Sequence, residues 1–171
     1  NSHVDQMINS GANIIDIGGE STRPGSKTVL KNLEWKRIKN IVINFKKRHK
    51  KICLSIDTRK SDIMIKSIKY GANLINDVSG FDYDSHSLTK LKKFNIAKVL
   101  HHMQGTPNTM QKNPKYKNVL LDIYDFFEEK IGKNFDNKKI ILDPGIGFGK
   151  NLKHNLTLIS KISLFHSLGF P

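Results

Sequence analysis

The sequence predicts an α/β fold on a parallel sheet, closer to part of a (β/α)8 barrel than to an open doubly wound sheet. Three observations carry this. Five short apolar runs alternate with helix-period segments along the 171 residues. The runs are apolar on both faces, as parallel strands buried between helices and a core must be. Four of them end in an acid or amide, mostly beside glycine: Ile14 to Gly19 with Asp16, Leu54 to Thr58 with Asp57, Leu74 to Gly80 with Asn76 and Asp77, and Ile140 to Gly145 with Asp143. An open sheet divides its loops around a switch point, whereas a barrel gathers every strand end around one pocket. Polar ends on several consecutive strands therefore favour the barrel, although five units cannot close one.

Taken in order, residues 3–10 read as the tail of a helix stopped by Gly11. A strand is expected at 13–17, followed by the loop Gly18 to Ser26. From Leu33, the apolar positions Ile38, Ile41, Val42 and Phe45 recur at helical spacing. A strand at 52–56 precedes a short helix with Ile63, Ile65 and Ile68. A strand at 73–76 precedes a helix carrying Leu88, Leu91 and Phe94. The strand at 96–100 enters His101 to Pro107, and a helix follows near 118–133. The last strand, 139–142, opens into Asp143-Pro144-Gly145-Ile146-Gly147-Phe148-Gly149-Lys150. A helix with Leu152, Leu156, Ile159 and Ile162 on its apolar side comes after it. No linker or change of composition divides the chain, so residues 1–171 are expected to form a single domain, cut from a longer protein at both ends.

The bulk composition excludes several classes. No run of about 20 apolar residues is present, which argues against a membrane span. The formal net charge of +14 invites a nucleic-acid reading. The lysines, however, are spread over 31–51, 90–98, 112–117 and 130–139, on helix faces and loops, with no nucleic-acid motif beside them. A solvated basic surface that attracts an anionic substrate is the better reading. The single cysteine, Cys53, lies in an apolar run and reads as a buried, inert thiol in a reducing cytoplasm.

Asp57, Asn76 and Asp143 would reach one mouth from three strands. Two carboxylates and an amide suit a neutral heterocycle rich in N–H donors, because a carboxylate accepts two adjacent N–H groups and an amide both donates and accepts. No Walker sequence or dinucleotide glycine fingerprint competes with this. His101 and His102 are adjacent on a strand and so face opposite ways; the expectation is one packed and one solvated, not a metal pair. Ser21-Thr22-Arg23-Pro24-Gly25 offers a mobile loop with a guanidinium fork for carboxylate or phosphate.

Together, these segments resemble the dihydropteroate synthase family of pterin-binding TIM barrels. The resemblance is carried by Gly11 to Gly25, Ser55-Ile56-Asp57-Thr58, Ile75-Asn76-Asp77, His102-Met103-Gln104-Gly105 with Thr109-Met110-Gln111 and Pro114-Lys115-Tyr116, and Leu142 to Asn151. It implies a transferase of folate biosynthesis that joins 6-hydroxymethyl-7,8-dihydropterin diphosphate to 4-aminobenzoate, giving 7,8-dihydropteroate and diphosphate. It implies catalytic roles for Asp57 and Arg23, and pterin binding by Asp57, Asn76, Val78, Met103 and Asp143. Thr22, Arg23, Pro24 and Phe148 would serve the aminobenzoate and diphosphate, while Asp16 would support the loop. The segment would hold barrel strands two to six, with no metal ligand of its own. The asparagine for a Mg2+ cofactor would precede Asn1, and the lysine and Arg-x-His strands would follow Pro171. Alone, such a fragment is expected to be inactive, whereas the intact protein would be a cytoplasmic homodimer. Two other readings are a pterin-binding remnant without catalysis and the pterin domain of a corrinoid-linked methyltransferase. The Arg23 loop and Phe148-Gly149-Lys150 argue against the methyltransferase.

Overall fold

In the computed structural model, residues 2–134 and 139–171 are described. Expectations touching Asn1 and Lys138 fall outside these residues. The elements run α1 (Ser2–Asn9), β1 (Ile14–Gly18), α2 (Lys31–Arg48), β2 (Cys53–Asp57), α3 (Ser61–Lys69), β3 (Leu74–Asp77), α4 (Ser87–Leu91), β4 (Ala97–His101), α5 (Val119–Asn134), β5 (Ile140–Asp143) and α6 (Leu152–Ser160), then a 3-10 helix over Ile162–Leu168. All five expected strands are present, each starting one residue later than the apolar runs predict. Hydrophobicity locates the buried residues, but the backbone ladder continues through the polar end. Asp57, Asp77 and Asp143 are thus the last residues of their strands.

The sheet order is β1-β2-β3-β4-β5, with every neighbouring pair parallel. Neighbours in space are neighbours in sequence, so no switch point exists. This is the barrel arrangement. Repeated crossovers of one hand keep the helices on one side, where α2 packs on α3, α3 on α4 and α5 on α6. The helix-facing side of the sheet supplies Ile15, Ile17, Leu54, Ile56, Ile75 and Leu100 to the core, against Ile38, Val42, Ile63, Met64, Ile123 and Phe127. Each such fully buried side chain contributes about 1.5–3 kcal/mol of transfer free energy.

Alternation along the strands fixes what the other face carries. The register aligns Gly18 with Asp57, Asp57 with Asn76, Asn76 with Val99 and Val99 with Ile141. One step nearer the C-terminal end, His101 aligns with Asp143. Asp16, Asp57, Asn76, His101 and Asp143 consequently share the concave face.

Several expectations change. Leu152, Leu156, Ile159 and Ile162, read as the apolar side of α6, are exposed, and Leu158 with Phe165 is what reaches the core. The described neighbours of α6 cover only the Leu158 side. The α4 helix ends at Leu91, leaving Phe94 in the following turn. The last residues follow a 3-10 helix closed by Gly169 in the left-handed region (φ 82°). Pro171 O then accepts from Leu142 N at 2.7 Å, so the chain comes to lie along the outer edge of β5. Cys53 is half-buried because it faces the concave side rather than the core. Burial still pushes its thiol upward, with Asp16 adding to the rise, as an inert thiol requires.

Candidate functional site

Asp57 and Asn76 stand side by side on the concave face through the β2–β3 register. The Asn76 amide nitrogen donates to Asp16 Oδ2 at 3.2 Å, and its carbonyl oxygen has no partner among the described residues. Asp16 therefore belongs to this cluster. Its expected role as loop support is overturned, because on β1 it points into the barrel and not toward the loop. The Asp57 carboxyl is pushed up to about 7 by burial, reinforced by the charges of Asp16, Asp77 and Glu34 and offset by Arg59. Gly18 is opposite it, where a Cβ would come within 3.3 Å of Asp57 Oδ2. The result is an acid held near neutrality and facing the open mouth, ready to ionise when a donor or cation arrives.

Asp143 is organised from the other side. Its Oδ1 accepts from Gly145 N at 2.8 Å, while Oδ2 lies 4.0 Å from His101 Nε2. The His101 ring is buried, which lowers its proton affinity more than Asp143 raises it. Neutral His101 places Nδ1 3.1 Å from Val78 O, and Phe148 meets the ring edge-on at 4.6 Å. Around this one imidazole the structure gathers Val78, Asp143 and Phe148. Sequence reasoning missed His101 as a site residue; its place, two beyond Val99 and opposite Asp143, is set by a register that only the folded sheet shows.

The expectation of one solvated histidine is also overturned, since His101 and His102 are both buried. His102 lies on the helix side, edge-on to Phe126. Burial lowers its pKa to about 3, with Lys150 and His101 contributing, so its Nδ1 receives Lys150 Nζ at 3.1 Å as an acceptor. Lys150 also donates to Phe148 O at 2.8 Å, and burial lowers this lysine to about 7. The lysine is a latch between the loops after β4 and β5, not a ligand group in the mouth. Gly145 shows how tightly these loops meet: its φ is +70°, and a Cβ there would sit 1.9 Å from His102 O.

Thr22, Arg23 and Pro24 lie on the loop between β1 and α2, half-buried at Thr22 and exposed at Arg23 and Pro24. Gly25 N donates to Pro107 O at 3.0 Å, which ties this loop to the one after β4. The loop base is buried: Glu20 Oε2 accepts from Val29 N at 3.0 Å, and Glu20 also pairs with Arg59 and Lys60. Met103, expected in the pterin slot, borders a cleft of about 230 Å³ with Arg59, Ser79, Asp82, Tyr83, Gly105 and Thr106. None of Asp57, Asn76 or Asp143 lines it. A second cleft, about 280 Å³, lies between Thr28–Lys31 and Tyr83–Asp84, also outside the mouth. No group of three or more His, Cys, Asp or Glu converges at metal-binding spacing among the described residues.

A five-stranded segment of a parallel barrel, with two acids, an amide and an imidazole at the C-terminal strand ends, defines a binding site of the α/β-barrel enzyme class. Comparison with known proteins makes this specific. Residues 1–171 match the family described as "Pterin binding enzyme", and the chain belongs to that family. The dihydropteroate synthase of Escherichia coli (strain K12) is 39% identical over 173 residues, covering 99% of this chain and 61% of the relative. That of Bacillus subtilis (strain 168) is 36% identical, covering 99% of this chain and 58% of the relative. The crystal structure of the Yersinia pestis dihydropteroate synthase with a sulfonamide drug superposes with a TM-score of 0.93 at 38% identity, over 99% of this chain and 62% of that one. The chain thus spans about 61% of the length of the E. coli relative. Among the described residues, no helix is long and apolar enough to cross a membrane.

Proposed function

We propose that the protein to which this chain belongs is a dihydropteroate synthase of folate biosynthesis, and that this chain supplies its pterin slot. The observation that carries the reading is the shared concave face of Asp57, Asn76 and Asp143, at the ends of three parallel strands. Asp143 Oδ1 accepts from Gly145 N, which aims the carboxylate to accept from a pterin's 2-amino and N3–H edge. Asn76, oriented by Asp16, offers the neighbouring ring edge a carbonyl oxygen that has no partner among the described residues. Asp57 accepts from the far ring nitrogen.

In the reaction the C–O bond to diphosphate breaks, its electron pair leaving with diphosphate, and the amine of 4-aminobenzoate forms a bond to the exocyclic methylene carbon of the cationic pterin. The amine then loses a proton to solvent. Positive charge grows on the pterin as diphosphate departs, and Asp57, half ionised near pH 7 when unliganded, becomes fully ionised beside it. That is electrostatic stabilisation of developing charge. Thr22, Arg23 and Pro24 cover the aminobenzoate and diphosphate, with Arg23 as the anion-binding fork, and Phe148 packs against the aminobenzoate ring. Val78, whose carbonyl meets the His101 ring, and Met103 line the slot. A Mg2+ ion would require ligands beyond the described residues. A cytoplasmic homodimer, acting on small molecules and not on nucleic acid, remains part of the proposal.

The intact protein, given 6-hydroxymethyl-7,8-dihydropterin diphosphate and 4-aminobenzoate, is expected to form 7,8-dihydropteroate and diphosphate one for one, measured by chromatography and a diphosphate assay. Pterin binding without product would favour the non-catalytic reading instead.

A further inference from the structure

We propose that the buried charged group of Glu20, Glu34, Arg59 and Lys60 is a clasp that sets the base of the Thr22–Pro24 loop relative to Asp57. Its residues are therefore positioning residues for the aminobenzoate half of the site. The proposal rests on the dihydropteroate synthase reading for its substrate.

All four residues are buried, Glu34 completely. Glu20 pairs with both Arg59 and Lys60, and Lys60 also pairs with Glu34. Two carboxylates and two cations leave the group neutral overall, a requirement for charges this far from water. Hydrogen bonds satisfy what remains. Thr58 Oγ1 donates to Glu34, Glu20 Oε2 accepts from Val29 N at 3.0 Å, and the Arg59 guanidinium lies 4.3 Å from the centre of the Tyr83 ring. Burial alone would raise the Glu20 carboxyl, but the hydrogen bonds from Lys60 and Arg59 outweigh it and hold it below its usual value.

The placement gives the clasp its consequence. Glu20 and Val29 are the two feet of the loop, and one carboxylate joins them. The first foot is further fixed by Arg37, which donates to Gly19 O at 2.8 Å, and by Gly19 itself, where a Cβ would lie 2.7 Å from Glu34 O. Arg59 and Lys60 follow Asp57 directly beyond Thr58. Among the described residues, the backbone of the tip between the feet is tied to the rest of the chain at Gly25, to Pro107. The loop therefore starts from a residue bonded to the two cations that follow the Asp57 strand end. The clasp thus links where Arg23 arrives to where charge develops.

The test uses Glu20→Gln and Val29→Pro in the intact protein. The first removes the charge. The second removes the N–H that Glu20 holds and leaves all four charges in place, so it reports on the clasp even if Glu20→Gln folds poorly. In Glu20→Gln, exchange of the Val29 amide should quicken about tenfold or more, as loss of a charged hydrogen bond predicts. In both variants KM for 4-aminobenzoate should rise about tenfold with pterin affinity within about twofold. Glu20→Asp should recover part of the loss. Unchanged Val29 exchange in Glu20→Gln, or pterin and aminobenzoate binding falling together in Val29→Pro, would overturn the clasp. Should the wild-type protein make no dihydropteroate, the function is wrong while the exchange result still decides whether the base is clasped.

Discussion

Asp57 carries the residue-scale consequence with the clearest sign. Its folded pKa, about 7, lies above the ordinary 3.8, with burial as the main cause. Between these values the folded chain keeps a proton that the unfolded chain has released. Asp57 therefore favours folding at low pH, and the benefit is lost as pH rises through 7. Asp57→Asn removes that loss. Urea unfolding should find the variant more stable than wild type at pH 8, by the order of 2–4 kcal/mol, and not at pH 3. Parallel pH profiles for the two proteins would show that Asp57 is not held protonated by its surroundings. The same substitution should weaken pterin binding, as expected of a residue kept for function at a cost in stability.

Much at this scale was legible in the sequence. Asp57, Asn76 and Asp143 could be found because each ends an apolar run, and the backbone geometry of a parallel strand does the rest. His101 could not be found this way, since its importance comes from a register with β5 that only the folded sheet establishes. Asp16 was misread for a related reason: it lies close to the loop in sequence, whereas its hydrogen-bond partner is Asn76, sixty positions away. Glu34 carried no signal, being one charged residue in a helix rich in them.

Elements were easier than their partners. Periodicity located all the strands, and the one-residue lag at each reflects pairing that extends beyond the buried residues. The apolar stripe of α6 was recognised, but its orientation depends on what packs against it, and the described residues reach only Leu158. Loops tell the same story. Gly145 is fixed by its approach to His102, so Gly145→Ala should destabilise the protein by about 3 kcal/mol or more in chemical denaturation, through a clash with backbone and a strained positive φ. In the loop after β1, Arg23 is exposed and its base is buried. Arg23→Ala should accordingly slow turnover by about 10–1,000-fold while leaving pterin affinity within about twofold, as a group acting mainly on the departing anion would. Steady-state kinetics with calorimetry separates the two effects, and the reverse pattern would remove Arg23 from the reaction.

On the scale of the whole molecule, the helix-covered face is a finished core and the concave face is open. Ile14, which points into the barrel, is 51% exposed, while Ile15 beside it is 2% exposed. A closed barrel would bury both. The central claim is that the strand ends of this chain form a pterin slot with Asp143 as its anchoring acceptor. Calorimetric titration of a pterin into the intact wild-type protein and its Asp143→Asn variant tests it directly. The account predicts measurable binding by wild type and a loss of about 100-fold or more in the variant, because adjacent ligand N–H groups would lose their charged acceptor. Equal affinity in the two proteins would contradict it.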